Sequence, residues 1–230
     1  MNTIREHLAS IRSTLPEGVE LLCVSKFHPA EAILEAYEAG ERDFGESRVQ
    51  ELLLKYEALP KDIRWHFIGH LQTNKVKQIV PFVHLIHSVD SEHLLECINR
   101  EAEKAGRKVN VLLELHVAKE ESKTGFTPDE LDKLAETIAS DSPYPFVSVK
   151  GVMGMATNTD NEDEWRRCFR LIAAAAHRIE NTLARNAAKP MIISMGMSED
   201  YPVAIEEGST MVRIGSSIFG ARDYSKPFTI

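Results

Sequence analysis

The sequence predicts a single α/β domain over residues 1–230, folded as a (β/α)8 TIM barrel. Short runs of apolar and β-branched residues alternate with longer amphipathic stretches along the whole chain, and such alternation indicates a parallel sheet. About eight strands can be counted in 230 residues, which suits a closed barrel better than an open doubly wound sheet. A Rossmann-type sheet is disfavoured because no G-x-G-x-x-G motif follows the first strand.

Eight strands and the helices between them can be placed from these patterns. The predicted strands cover residues 19–27, 43–47, 65–70, 85–89, 111–117, 147–155, 191–197 and 211–214. A helix over residues 3–13 precedes them, and a long helix spans roughly residues 162–185. Helix starts are predicted at Ser91 and at the Thr127-Pro128 pair, because serine and threonine cap helices and proline suits the first helical position.

Composition excludes several classes of protein. Hydrophobic residues make up 43% and charged residues 27%, as in ordinary globular proteins, and the net charge is −8. An acidic chain is not expected to bind nucleic acid or an anionic membrane, which require a basic face. Three distant cysteines suit neither a disulfide framework nor a zinc site. Without a signal-peptide run or a stretch of about eighteen apolar residues, we expect a soluble cytoplasmic protein.

Lys26 is the first candidate functional residue. It closes the first predicted strand, and function in such barrels lies at the carboxyl ends of the strands. A lysine at the barrel mouth is partly desolvated, which lowers the pKa of its amine and makes it nucleophilic. A solvated lysine at a strand end is the alternative interpretation.

Two Gly/Ser segments indicate a phosphate site. One runs from Ser194 to Ser198 (SMGMS) after the seventh strand, and the other follows the eighth strand as Gly215-Ser216-Ser217. Small residues let backbone N–H groups approach a ligand closely, and serine hydroxyls add donors. These are the loops at which barrels commonly bind phosphate, although ordinary turn chemistry would look similar.

Arg213 lies inside the otherwise apolar eighth strand. An arginine that faces the barrel interior cannot lose its proton, so it needs a carboxylate or a ligand heteroatom as acceptor. A lysine, a phosphate cup and an inward arginine in one barrel mouth together are typical of a pyridoxal phosphate site, where an aspartate or arginine partners the ring nitrogen.

Other polar clusters carry less weight. His66 and His70 are four residues apart on a strand, which is not the helical spacing of a metal pair, and the remaining histidines have no ligand spacing. The acidic run 160–164 (DNEDE) lacks the glycine of a calcium loop and reads as a helix start. No metal site is predicted.

Five segments resemble the pyridoxal phosphate homeostasis proteins, a family related to the barrel domain of alanine racemase. They are VSKFHP at 24–29, FGESRVQE at 44–51, WHFIGHLQTNK at 65–75, ESKTGF at 121–126, and SMGMSEDYPVAIEEGSTMVRIGSSIFGAR at 194–222. The segments keep the family's order and extend over nearly the whole chain. The resemblance implies an alanine-racemase N-terminal-domain-like barrel, the fold type III of pyridoxal phosphate proteins, with an extra N-terminal helix.

The resemblance also assigns the site residues. Pyridoxal 5′-phosphate would form an internal aldimine on Lys26, Ser194, Gly215 and Ser216 would contact its phosphate, and Arg213 would face its pyridine nitrogen. The family usually has asparagine where this chain has Ser47. Serine is shorter and has one donor, so we expect the contact at Ser47 to be lost or bridged by water.

A non-catalytic carrier of pyridoxal phosphate, active in cofactor homeostasis and amino-acid metabolism, is the leading prediction. The resemblance suggests pyridoxal-phosphate-dependent enzymes as acceptors, and we expect a monomer. The alternative is a low-activity fold type III amino-acid racemase, but no second domain with a tyrosine base is expected, and an arginine leaves the pyridine a poor electron sink. A metal-dependent barrel hydrolase has little support.

Overall fold

Eight parallel strands form a closed barrel in which neighbours follow chain order and β1 pairs with β8. The computed structural model describes residues 3–118, 124–183 and 190–221. The strands are β1 Glu20–Val24, β2 Asp43–Glu46, β3 Arg64–Phe67, β4 Leu85–Val89, β5 Val109–Leu115, β6 Val147–Gly154, β7 Ile192–Ser194 and β8 Met211–Ile214. The predicted (β/α)8 barrel is confirmed.

Helices surround the barrel. In the described ranges they are α1 Ile4–Thr14, α2 Ala30–Glu38, α3 Val49–Ala58, α4 Val76–Ile79, α5 Glu92–Lys104, α6 Pro128–Asp141, α7 Glu162–Leu183, α8 Tyr201–Glu206 and α9 Ser216–Phe219. The N-terminal helix α1 is the predicted additional element, and the ring of His7 meets the carbonyl oxygen of Ile218 in α9 at 2.9 Å. None of the helices in the described ranges is sufficiently long and apolar to cross a membrane.

The predicted helix starts have the expected caps. The hydroxyl of Thr127 accepts the backbone N–H of Glu130, and the side chain of Glu130 accepts the N–H of Thr127 in return. Ser91 caps α5 by accepting the N–H of Leu94 at 3.4 Å. These contacts satisfy donors that the first helical turn leaves without partners.

The barrel has two differently composed sides because successive strand residues point to opposite faces. The outer side packs against the helices in one large apolar core that includes Phe44, Trp65 and Phe169. The interior holds a small apolar layer of Leu85, Leu112 and Met153. Several buried polar side chains share the interior with that layer, and the site is built from them.

Several strands end earlier than predicted, and the first, third and seventh do so by three residues each. After Val24 the chain turns at residues 25–27, and Phe27 has a φ of 67°, outside the range of a strand. The predicted seventh strand, 191–197, ends at Ser194, and Gly196 has a φ of 91°. A Cβ at Gly196 would lie 2.6 Å from the Cβ of Ala204, so the loop requires glycine at this position.

Candidate cofactor site

The six predicted site residues lie at the carboxyl ends of four neighbouring strands. Lys26 and Ser47 follow β1 and β2, Ser194 ends β7, Arg213 lies in β8, and Gly215 and Ser216 come directly after β8. Because the barrel closes in the order β7-β8-β1-β2, these residues occupy one sector of one mouth. The side chains of Lys26 and Ser47 are half-buried there, and Ser216 is exposed.

Arg213 is a buried cation held by neutral acceptors. Its Nη1 donates to the carbonyl oxygen of Ser194 at 2.7 Å and to the Ser194 hydroxyl at 2.9 Å, and its Nη2 donates to the carbonyl oxygen of Gly154 at 3.1 Å. Burial lowers the pKa of Arg213 to about 10, while the carboxylates of Asp200 and Glu114 oppose that shift. The guanidinium therefore stays charged and fixed in orientation at neutral pH.

The hydroxyl of Ser194 lies inside the barrel. The residue is fully buried, and its Oγ contacts both Arg213 and the Nδ1 of His87, at 3.2 Å from the latter. In the structure the partners of this hydroxyl are those two side chains, and the predicted contact of Ser194 with the phosphate stays a prediction. A second serine of the same segment, Ser198, lies in the loop itself.

Ser198 lies where the loop after β7 meets the loop after β8. Its Oγ accepts the backbone N–H of Gly215 at 3.4 Å, and its side chain is half-buried. A Cβ at Gly215 would lie 3.0 Å from the carbonyl oxygen of Val24, so glycine lets the end of β8 approach the end of β1 closely. The two loops thus bring a hydroxyl and small-residue backbone together near Lys26.

A buried ionic cluster supports the turn that carries Lys26. Lys55 of α3 is fully buried, and its Nζ donates to Glu46 and Glu51 at 2.7 Å each. The same Nζ donates at 2.8 Å to the carbonyl oxygen of Ser25, the residue before Lys26. The helix therefore fixes the strand end through charge-assisted hydrogen bonds.

The other side of the turn is held by the same cluster. Glu51 accepts the backbone N–H of Phe27 at 2.7 Å, and the hydroxyl of Ser25 donates to Glu46 at 2.6 Å. A positive φ at Phe27 is unfavourable for a bulky residue and persists only where its surroundings hold it. The cluster provides that restraint on both sides of Lys26.

Ser47 opens onto a neighbouring cleft. Its lining also includes Arg48, His70, Gln72 and Lys75, which gives it a basic character. A Cβ on Gly69 would clash with the backbone of Ser47, so the loops after β2 and β3 are in close contact. Ser47 therefore lies between the barrel mouth and this cleft.

Two groups inside the barrel were not identified from the sequence. Glu114 of β5 is buried, and burial together with the nearby carboxylate of Asp90 raises its pKa to about 7, against the attraction of Arg213. His66 and His87 contact each other within the barrel. Because alternate residues of a strand point to the same face, counting inward positions along β3, β4 and β5 could have placed these side chains inside the barrel.

Metal ligation is not a feature of the described ranges, in which no three His, Cys, Asp or Glu side chains cluster as a metal site would require. The groups present suit an aromatic phosphate cofactor instead. A half-buried lysine follows β1, and the neighbouring strand β8 carries a fixed guanidinium donor and leads into a Gly/Ser loop. Lysine can bond an aldehyde, and small residues let a phosphate approach the backbone closely.

The fold is that of a parallel (β/α)8 barrel with its candidate site at the carboxyl ends of the strands. Comparison with known proteins identifies the family. The family model described as "Alanine racemase, N-terminal domain" matches residues 1–223. The "Pyridoxal phosphate homeostasis protein" of Schizosaccharomyces pombe is 39% identical over 99% of this chain and 96% of its own length. The protein of that name from Aquifex aeolicus is 44% identical over 89% of this chain and 88% of its own length.

A solved structure of the same kind is also similar. PipY of Synechococcus elongatus shares 37% sequence identity, covering 95% of this chain and all of its own. The TM-score is 0.88 for its structure without pyridoxal phosphate and 0.85 for the one with pyridoxal phosphate bound. This chain therefore belongs to the alanine racemase N-terminal domain family and, within it, to the pyridoxal phosphate homeostasis proteins. The resemblance seen in the sequence is confirmed.

Proposed function

We propose that this protein binds pyridoxal 5′-phosphate at the mouth of the barrel and serves its homeostasis as a carrier. The observation that carries the proposal is that β8, with Arg213 and the Gly215 loop, adjoins the end of β1, which Lys26 follows. Each of these three matches a different part of the cofactor. The bound cofactor in PipY, a relative over 95% of the chain, supports the same assignment.

Lys26 is the proposed covalent anchor. Its Nζ would attack the aldehyde carbon of the cofactor, and one water would leave as the carbon–nitrogen double bond forms. The Lys55 cluster holds the backbone on both sides of Lys26, so the amine is presented from a fixed turn. The bond is reversible by water, which suits a protein that takes up and releases its ligand.

The remaining residues would each contact a different part of the ligand. Arg213 would donate to the pyridine nitrogen, because a fixed guanidinium is a donor and never an acceptor. Gly215, Ser216 and Ser198 would bind the phosphate through backbone N–H groups and hydroxyls. At Ser47 the contact that asparagine makes in the family would be lost or bridged by water.

We propose that the protein is not an efficient racemase. An arginine at the ring nitrogen leaves the pyridine uncharged, and the bound group is then a weak electron sink for carbanion chemistry. The tyrosines in the described ranges have other partners, which supports this proposal. The hydroxyls of three of them form hydrogen bonds, Tyr37 with Asp62, Tyr144 with Glu92 and Tyr201 with Thr14. The ring of Tyr56 stacks on Phe82.

The proposed partners follow from the carrier function. The protein would act as a monomer, and pyridoxal-phosphate-dependent enzymes would accept the cofactor from it. The net charge of −8 argues against nucleic acid and anionic membranes as partners. Transfer can be measured by mixing the loaded protein with a cofactor-free acceptor enzyme and following recovery of that enzyme's activity.

Reduction with borohydride tests cofactor binding. We expect wild-type protein mixed with pyridoxal phosphate to show an absorbance band on the order of 420 nm, characteristic of a bond between an amine and the aldehyde. After borohydride treatment, mass spectrometry should locate the label on Lys26. The variant Lys26→Ala should fold and lose the label, and Lys75→Ala should retain it. A reducible label that persists in Lys26→Ala would refute the anchor.

Deuterium exchange separates the carrier from the racemase. Protein saturated with cofactor should exchange the α-proton of alanine or serine in heavy water far more slowly than a median enzyme turns over, about ten times per second. Loss of one positioned acid–base group alone typically costs 10²–10⁴-fold in rate. Exchange at many turnovers per second that disappears in Lys26→Ala would establish the racemase instead.

A further inference from the structure

A continuous chain of hydrogen bonds crosses the interior of the barrel. The carboxylate of Asp43 meets the Nε2 of His66 at 3.1 Å, and the Nδ1 of His66 meets the Nε2 of His87 at 2.9 Å. The Nδ1 of His87 meets the hydroxyl of Ser194 at 3.2 Å, which accepts from Arg213 at 2.9 Å. We call these five side chains the axial chain. It runs from the amino-terminal end of β2 to the candidate site.

Both ends of the axial chain have fixed roles. Arg213 can only donate, so the Ser194 hydroxyl must accept from it. At the other end, burial works against ionisation of Asp43, but hydrogen bonds from His66 and Arg64 outweigh it and hold the pKa of Asp43 well below its usual range. Asp43 is therefore an acceptor, and the Nε2 of His66 carries the proton that lies between them.

The histidines in the middle then have one consistent arrangement. Burial lowers the pKa of His87 well below its usual value, so His87 is neutral and has a single N–H. If that proton were on Nδ1, an uncharged His66 would face His87 with two lone pairs only 2.9 Å apart. The proton is therefore on the Nε2 of His87, and its Nδ1 accepts the proton of Ser194.

The opposite pattern would need a charged His66. Its Nδ1–H would then donate to His87, and the Nδ1–H of His87 would donate to Ser194. Asp43 already has the guanidinium of Arg64 as a cationic partner, so the axial chain closes without a proton on the Nδ1 of His66. The uncharged pattern is the one that these contacts favour.

We propose that His66 and His87 are positioning residues that fix Arg213 as an oriented donor toward the group bound at the barrel mouth. The inference rests on the proposed function, in which that group is the pyridine ring of the cofactor. While its proton points to His87, the Ser194 oxygen keeps a lone pair directed at Arg213. Without an acceptor at His87, this hydroxyl can rotate, and one of the three bonds on the guanidinium is weakened.

Nuclear magnetic resonance of the cofactor-free protein tests the axial chain directly. In protein labelled with 15N-histidine, the ring nitrogens of His66 and His87 should both report the neutral Nε2–H form at pH 7. This measurement needs no bound ligand. A proton on the Nδ1 of His87, or a doubly protonated His66, would overturn the proposed arrangement.

Ligand binding tests the consequence for Arg213. In His87→Phe, which keeps a ring but no acceptor, we expect affinity for pyridoxal phosphate to fall about tenfold, the scale of one hydrogen bond to a charged group. The affinity for pyridoxal, which lacks the phosphate, should fall by the same factor. His87→Asn retains an oxygen near the position of Nδ1 and should stay within about threefold of wild type. Leu112→Met, a change in the same interior, is the matched control.

The 15N resonance of the cofactor's ring nitrogen gives a signature that a loss of packing alone would not produce. It should shift in His87→Phe and return toward the wild-type position in His87→Asn. If His87→Phe does not fold, Ser194→Ala removes the same link and should shift the resonance too. Unchanged resonance and affinity in these variants would overturn the positioning role alone. A wild-type protein that binds no pyridoxal phosphate would instead overturn the proposed function, and the positioning role with it.

Discussion

Ser198 and Ser194 illustrate how a few residues decide what each hydroxyl can do. Both belong to the SMGMS segment, yet one lies in the loops at the mouth and the other is fully buried beside Arg213 and His87. The difference arises because β7 ends at Ser194 and the chain then turns through Gly196. Two serines in one motif thus belong to separate parts of the site.

Removal of the Ser198 hydroxyl should affect only the phosphate end of the ligand. We expect Ser198→Ala to weaken pyridoxal phosphate binding by about tenfold, since a hydrogen bond to a charged group contributes about 1.5 kcal/mol or more. Affinity for pyridoxal, measured by the same titration, should remain unchanged. Equal losses for both ligands would place Ser198 away from the phosphate.

At the scale of the element, helix α3 does more than pack against the barrel. Its Lys55 links the ends of β1 and β2 through Ser25 and Glu46 and bonds Glu51 within the helix. Burial, together with the neighbouring charge of Glu51, raises the pKa of Glu46 to about 7, while Lys55 lowers it. The Lys26 turn therefore depends on a helix that does not itself reach the ligand.

Loss of the Lys55 charge should destabilise the protein. Lys55→Met leaves two buried carboxylates without their cation, which typically costs about 3–5 kcal/mol in the free energy of unfolding. Urea denaturation at pH 7 should show this loss. In the triple variant that adds Glu46→Gln and Glu51→Gln, most of the stability should return. An unaltered midpoint in Lys55→Met would contradict the role given to the cluster.

A second prediction at this scale concerns the junction of β8 with β1. In Gly215→Ala the new methyl group would meet the Val24 carbonyl oxygen at 3.0 Å, and backbone cannot move aside as a side chain can. We expect a loss of about 1–3 kcal/mol in unfolding free energy and weaker binding of pyridoxal phosphate. Gly45→Ala is the control, because its methyl group would meet only the flexible side chains of Leu22 and Ile68. Equal effects of the two changes would refute the close approach at Gly215.

On the scale of the whole molecule, closure of the barrel creates the site. Lys26 and Arg213 are near opposite ends of the sequence, and closure brings their strands side by side, because β8 pairs with β1 in register, Leu22 opposite Arg213. The interior of the same barrel encloses several ionisable groups, Glu114 and His87 among them. Enclosure shifts their pKa values in the directions that disfavour charge.

The pH dependence of stability should report the burial of Glu114. Its pKa in the folded protein is raised from 4.5 to about 7, so its favourable contribution is complete below pH 4.5 and is lost as the pH rises through 7. Glu114→Gln stays neutral throughout. The unfolding free energy of the variant minus that of wild type should therefore increase between pH 5 and pH 8, by about 2–3 kcal/mol.

The difference in unfolding free energy between Glu114→Gln and wild type isolates Glu114, because Asp43, Glu46 and His87 are present in both proteins and their contributions cancel. Leu112→Met, which changes no ionisable group, should give a difference from wild type that does not vary with pH. A Glu114→Gln difference that is flat with pH, or that decreases as the pH rises, would show that Glu114 is not the buried acid described above.

The sequence by itself determined the architecture and singled out the residues now proposed for the site. Alternation of β and α patterns gave eight strands, because each strand buries both faces and each helix buries one. Lys26 and Arg213 could be selected because each is a charged residue at or within an apolar strand. The spacing of the family's motifs identified the relatives, and the comparisons confirmed them.

Only the tertiary structure decided which polar groups meet. The end of β7 separated Ser194 from Ser198, and that boundary depends on packing between Gly196 and Ala204. The contacts of His66 and His87 with Ser194 join strands far apart in the chain. Local patterns are set by neighbouring residues, whereas contacts inside a barrel depend on where every strand lies once the sheet has closed. For that reason the axial chain could not be foreseen from the histidines themselves.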